Sequence, residues 1–124
     1  MARFIHTGDW QLGMTRHFLS SEAQARYSEA RLEAVKAIAK LARDEECSFV
    51  VVSGDVFESN HLARSVVVRA LDAMAGFDMP LYLLPGNHDP IDATSVYRPS
   101  SAVGGYMRTV WRLEAQCFRA VVCS

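Results

Sequence analysis

The 124 residues suffice for one domain at most. Half of them are hydrophobic and 22% are charged, which excludes a disordered chain and allows a modest core. A formal net charge of -1 excludes the broad basic surface of a free-standing nucleic-acid binder. The three cysteines, Cys47, Cys117 and Cys123, form no C-x-x-C pair and read as reduced thiols. The chain opens without the pattern of a signal peptide and carries no apolar run of spanning length, so the expectation is a cytoplasmic protein with no membrane segment.

In chain order the pattern predicts strand, long helix, strand, helix, strand. The first strand covers about Arg3 to His6. A helix follows from about Ser21 to Glu45, with Ser21 and Gln24 at capping-box spacing. Tyr27, Ala30, Ala34, Ile38 and Leu41 recur at helical intervals, and Leu32, Val35, Ala39 and Ala42 widen that apolar face. The second strand, Ser48 to Val52, is a continuous apolar run of the kind buried on both faces of a parallel sheet. A second helix covers about Leu62 to Ala75, with Gly76 where a left-handed cap is expected. Pro80 introduces the third strand, Leu81 to Leu84, and Pro85-Gly86 ends it. Beyond about Ser95 the alternation fades. We therefore divide the chain into residues 1–95 and a tail, 96–124, of no clear assignment, in which Tyr106 to Val121 has weak helical spacing.

Alternating strands and helices imply an α/β fold of β-α-β-α-β order with right-handed crossovers. Ligands of such sheets gather at the carboxyl ends of the strands, here the loops Thr7 to Gly13, Ser53 to His61 and Pro85 to Asp92. In the first, Asp9 and Gln11 stand two apart, which in an extended segment aims both side chains to one side. Their carboxylate and amide oxygens suit a hard divalent ion. In the second, Gly54 allows a tight turn before Asp55, whose two carboxylate oxygens can bridge two ions. In the third, Asn87 offers an amide oxygen. His88 is free to act as a general acid, and Asp89 is placed to accept a hydrogen bond from its ring.

The order Asp-x-ligand, Gly-Asp, Gly-Asn-His-Asp, each after a predicted strand, resembles the calcineurin-like metallophosphoesterase superfamily. Within it, His6-Thr7-Gly8-Asp9-Trp10-Gln11-Leu12-Gly13, Gly54-Asp55-Val56-Phe57 and Leu84-Pro85-Gly86-Asn87-His88-Asp89 are similar to the SbcD-type repair nucleases. The resemblance spans about Arg3 to Asp92 and implies a metallophosphoesterase-type layered fold. It also implies two divalent ions, manganese before magnesium, that activate water for in-line attack on a phosphodiester of DNA. On that pattern Asp9 and Gln11 bind the first metal, Asp55 bridges both, Asn87 binds the second, and His88 with Asp89 is catalytic. An SbcC-like coiled-coil ATPase and a homodimer are the implied partners.

Two departures stand out. The family has histidine where this chain has Gln11, and an amide binds Mn²⁺ more weakly than imidazole. The family's later histidines have no counterpart either, because no histidine follows Asp89. The expectation is therefore an amino-terminal fragment or an altered end, with little activity alone. Alternative functions are a metallophosphoesterase of small phosphodiesters and a degenerate, non-catalytic module. His6, His17, His61, Glu58, Trp10, Arg16 and Arg64 lie in or near the loops and read as packing or solvated residues.

Overall fold

The computed structural model describes residues 2–90 and 92–98. The order is β1 (Phe4–Thr7), α1 (Ser21–Asp44), β2 (Phe49–Ser53), α2 (Arg64–Met74) and β3 (Leu81–Leu84). The three strands form one parallel sheet in the order β1-β2-β3. The α/β expectation therefore stands, with β1 and β2 each shifted by one residue and both helices slightly shorter than expected. The weak helix expected at 106–121 and two of the cysteines lie outside the described residues.

Two crossovers that step the same way across a parallel sheet, with the same hand, put both helices on one face. The packing agrees. Val52 and Leu83 share one buried cluster with Leu32 and Val35 of α1 and Val67, Ala70, Ala73 and Met74 of α2. Burying a valine or leucine side chain contributes about 1.5–3 kcal/mol, so this layer holds the sheet under the helices. The opposite face is less covered. Phe4 remains 56% exposed. Its ring stacks on its register partner Phe49 at 5.0 Å, and Phe49 meets Tyr82 edge-on. β2 thus alternates, with Val50 and Val52 buried, Phe49 and Val51 half-buried and Ser53 exposed, correcting the expectation of burial on both faces.

Three local expectations also change. Of the stripe read on α1, Ala30, Ala34 and Leu41 are exposed, and the buried face is Leu32, Val35, Ala39 and Ala42. Both stripes have helical spacing, so periodicity alone could not decide between them; contact with the sheet and α2 did. The N-cap is Ser20, whose Oγ accepts from the Ala23 amide at 3.2 Å. Gln24 is thereby released from capping. Its side chain donates to the Met14 carbonyl and accepts from the Arg16 amide, tying the 14–16 segment to α1. Finally, Gly76 has no left-handed backbone. α2 closes through short-range bonds from Ala75 and Gly76, and Arg43 donates to the Gly76 carbonyl at 2.6 Å. The left-handed cap is at the end of α1 instead. There Glu46 has φ 53°, and the Glu46 and Cys47 amides donate back to Arg43 and Ala42.

Candidate active site

The three loops leave β1, β2 and β3 at their carboxyl ends and meet. The first runs alongside the second, as a continuation of the strand pairing. The Asp9 amide donates to the Gly54 carbonyl at 3.2 Å, Gln11 to Asp55 at 2.8 Å, and Leu12 to Val56 at 3.0 Å. The Glu58 amide returns a bond to Leu12 at 3.0 Å, and Leu12 forms an isolated bridge with Phe57. Trp10, between the two expected ligands, is 6% exposed and donates from Nε1 to Thr7 Oγ1 at 3.1 Å. Arg31 of α1 donates to the Trp10 carbonyl at 2.6 Å.

Asp9 and Gln11 do not sit in extended backbone. Their φ angles are 52° and 45°, so the simple alternation argument for their side chains fails. The cause is the main-chain docking: both amides turn toward the second loop. Asp55 has φ 51° as well, directly after Gly54 at 90°. Left-handed backbone costs a non-glycine residue roughly 1–2 kcal/mol, and strain of this kind gathers at functional sites. Three of the four expected ligands carry it.

The third loop fits against Asp55 with no room to spare. A Cβ on Gly86 would collide with Asp55 Oδ1 and lie 2.5 Å from the Asp55 amide nitrogen. The glycine before Asn87 is thus required by close approach. The His88 amide donates to Asp55 Oδ1 at 2.9 Å. In the other direction, Asp89 Oδ2 accepts from the Phe57 amide at 3.0 Å, while Oδ1 accepts from Gly86 at 2.8 Å. Two carboxylates therefore cross between the loops, each holding the other loop's backbone.

Asp89 departs from its expected role. It is fully buried and bonds to Phe57, Gly86 and the Tyr97 hydroxyl. The His88 ring faces elsewhere, with Nδ1 3.9 Å from Glu58 Oε1. The expected ring-to-Asp89 bond is not made, because the carboxylate is turned inward to buried donors. Burial and the neighbouring Asp89 carboxylate push the Tyr97 hydroxyl far above its ordinary pKa, so it stays the donor. Neither Tyr97 nor Asn60, which accepts from Val96 and donates to the Pro90 carbonyl, stood out in the sequence. An asparagine and a tyrosine outside any motif carry no signal until the chain is folded. Val96 and Tyr97 are core residues, so packing continues past residue 95.

The side chains of Asp9, Asn87 and His88 are exposed, and Asp55 and Gln11 are half-buried, which leaves their donor atoms reachable. Asp9, Gln11, Asp55 and Asn87 offer only oxygen, from two carboxylates and two amides, a set suited to a hard divalent cation. Glu58 Oε2, beside them, is buried with no hydrogen-bond partner among the described residues. Among those residues no three of His, Cys, Asp and Glu form a metal-holding group. The set fits part of a divalent-metal site.

The sequence matches the calcineurin-like phosphoesterase family over residues 2–122. The chain belongs to that family. Calcineurin-like phosphoesterases typically bind divalent metals, in keeping with the oxygen donors at these loops. Among curated relatives, the chain is 29% identical over 107 residues to the SbcD subunit of the SbcCD nuclease of Bacillus subtilis, covering 83% of this chain and 26% of that protein. It is 31% identical over 90 residues to the DNA double-strand break repair protein Mre11 of Methanococcus maripaludis, covering 70% and 23%. The SbcD subunit of the SbcCD nuclease of Rhodobacter capsulatus is 30% identical over 93 residues, covering 71% and 22%. The chain thus spans about a quarter of the length of these relatives.

Proposed function

We propose that this chain contributes the amino-terminal part of a metal-dependent phosphodiesterase acting on DNA. The observation that carries this reading is the convergence of three strand-end loops on Asp55, with Asp9, Gln11 and Asn87 around it. The names of the relatives, two nuclease subunits and a double-strand break repair protein, favour DNA over small phosphodiesters. Asp9 and Gln11 would hold one divalent ion, Asp55 would bridge to a second, and Asn87 would complete its share of that second site. Manganese is preferred over magnesium because the relevant family branch, on its resemblance, uses it. Bound ions would supply positive charge that draws electron density from the phosphoryl oxygens and makes water a stronger acid.

The chain's own residues set the geometry. Asp55 fixes the His88 backbone, which leaves the exposed ring free to give a proton to the leaving oxygen. Glu58 stands near that ring, with Oε1 3.9 Å from Nδ1. The net charge of -1 means that a strong grip on the DNA backbone comes from a local patch or a partner. An SbcC-like coiled-coil ATPase and a second copy of the subunit are the partners this reading assigns, in the cytoplasm.

A second reading, a binding module with a degraded site, draws on Gln11 and on the absence of a three-residue metal group among the described residues. One assay separates the readings. The 124-residue chain and the full-length gene product are each incubated with Mn²⁺ or Mg²⁺ and offered linear DNA or a small phosphodiester. The expected result is Mn²⁺-dependent DNA cleavage by the full-length product, lost in His88→Ala, with weak activity in the 124-residue chain. Equal, His88-independent turnover of both substrates, or none by the full-length product, would refute the nuclease reading.

A further inference from the structure

The third motif ends in Asp89, and its carboxylate is spent in the protein interior. Oδ1 closes the third loop on the Gly86 amide at 2.8 Å, and Oδ2 reaches the Phe57 amide of the second loop at 3.0 Å. The remaining donor is the Tyr97 hydroxyl, 2.5 Å from Oδ2. Tyr97 is 9% exposed, and its ring lies tilted against Phe57 at 6.3 Å. It is held by its own strap. The Val96 amide donates to Asn60 Oδ1 at 3.1 Å, and Asn60 Nδ2 donates to the Pro90 carbonyl at 3.0 Å. The segment after the third motif therefore folds back over both loops and reaches the carboxylate that joins them.

A fully buried carboxylate is stable only when its oxygens are well supplied with donors. Two main-chain amides supply Asp89 from the loops, and a third donor fixes which way it faces. Without the hydroxyl, the carboxylate is free to turn toward other donors, and its grip on Phe57 weakens. Phe57 is two residues from Asp55, and Gly86 is one residue from Asn87. Slack here reaches the metal-facing residues directly, because the Asp55 carboxylate and the His88 amide are bonded at 2.9 Å.

We infer that Tyr97 and Asp89 are positioning residues: the Tyr97 hydroxyl orients the Asp89 carboxylate, which locks the second and third loops at the spacing that Asp55, Asn87 and His88 require. The role assigned to Asp89 changes accordingly. It acts through the backbone, at a distance from any substrate. Only the metal readout below rests on the function proposed above; the exchange readout does not.

The test is residue-resolved amide hydrogen exchange on the 124-residue chain, wild type and Tyr97→Phe. Exchange at Phe57, Gly86 and His88 should speed up about tenfold, the loss expected for one hydrogen bond to a charged group, while Val52 and Leu83 in the sheet stay within about twofold. Mn²⁺ binding, followed by titration, should weaken several-fold. In an Asp89→Asn background, Tyr97→Phe should add less than about twofold to either readout, because the hydroxyl acts through the carboxylate. Phe57→Leu, which loosens the same packing and keeps the hydroxyl bond, should leave His88 protected. Unchanged exchange at Phe57 and His88 in Tyr97→Phe would overturn the inference. So would acceleration spread evenly through the sheet, or the same loss in the Asp89→Asn background. If wild type binds no Mn²⁺ but the exchange pattern appears, the metal-holding role given to this chain's own residues falls and the positioning role stands.

Discussion

The first site loop is held against the second mainly by main-chain bonds, from the Asp9, Gln11 and Leu12 amides to the carbonyls of Gly54, Asp55 and Val56. The second and third loops are joined by side chains: Asp55 holds the His88 amide and Asp89 holds the Phe57 amide. These are two solutions to one problem. A loop that extends a strand pair can borrow the sheet's hydrogen bonding, at the cost of bending Asp9 and Gln11 into left-handed backbone. Among the described residues the third loop makes no such run of main-chain bonds with the second, and carboxylates take over. The side-chain joint should therefore be the more fragile to mutation, and the main-chain joint should store the more strain.

The largest expected effect is at Asp89. Replacing it by alanine leaves the buried Phe57 amide, the half-buried Gly86 amide and the Tyr97 hydroxyl without their acceptor. Leaving a buried donor without its acceptor costs about 1–3 kcal/mol, so losing three at once is enough to threaten a small domain. Urea denaturation of Asp89→Ala against wild type measures it. A loss below about 1 kcal/mol would mean that the two loops hold together without the carboxylate.

Gly86→Ala probes the same joint by volume. The added Cβ would collide with Asp55 Oδ1 and sit 2.5 Å from the Asp55 amide nitrogen, so backbone as well as side chain must move. Overpacking of this kind costs about 1–3 kcal/mol. The displaced Asp55 should also weaken Mn²⁺ binding more than the lost stability alone explains. Thermal melting and a metal titration on one sample read both. If stability falls while metal binding holds, the glycine serves the fold and not the site.

Much of this was legible in the sequence, and the gaps have physical causes. Strand ends, loop order and the placement of Asp9, Asp55, Asn87 and His88 on strand-end loops follow from short-range pattern, since apolar runs and Gly/Pro punctuation act locally. The apolar face of α1 was read too broadly, because Ala30, Ala34 and Leu41 satisfy the same period as the buried Leu32, Val35, Ala39 and Ala42, and only packing selects between them. Asp89 looked like the partner of the adjacent His88 ring. Two of its three partners, Phe57 and Tyr97, lie 32 and 8 residues away, and spacing encodes no such contact. The conformation of Gln11 was equally hidden, since glutamine has no special preference for φ 45°.

That residue gives the smallest and most discriminating test of the comparison. Gln11→Gly should relieve left-handed strain and raise stability by up to about 1 kcal/mol, while removing an amide oxygen from the proposed first metal position. Gln11→His keeps the strained backbone and supplies imidazole, so stability should hold while Mn²⁺ binding tightens. The two variants thus separate what the backbone at position 11 costs from what its side chain contributes. Paired urea denaturation and Mn²⁺ titration of both decide the matter. If Gln11→Gly is less stable than wild type, the left-handed turn is not a store of strain and the main-chain joint is as relaxed as the sheet it extends. If Gln11→His leaves Mn²⁺ affinity unchanged, position 11 does not face the ion, and the first site must be built from Asp9 and donors supplied elsewhere.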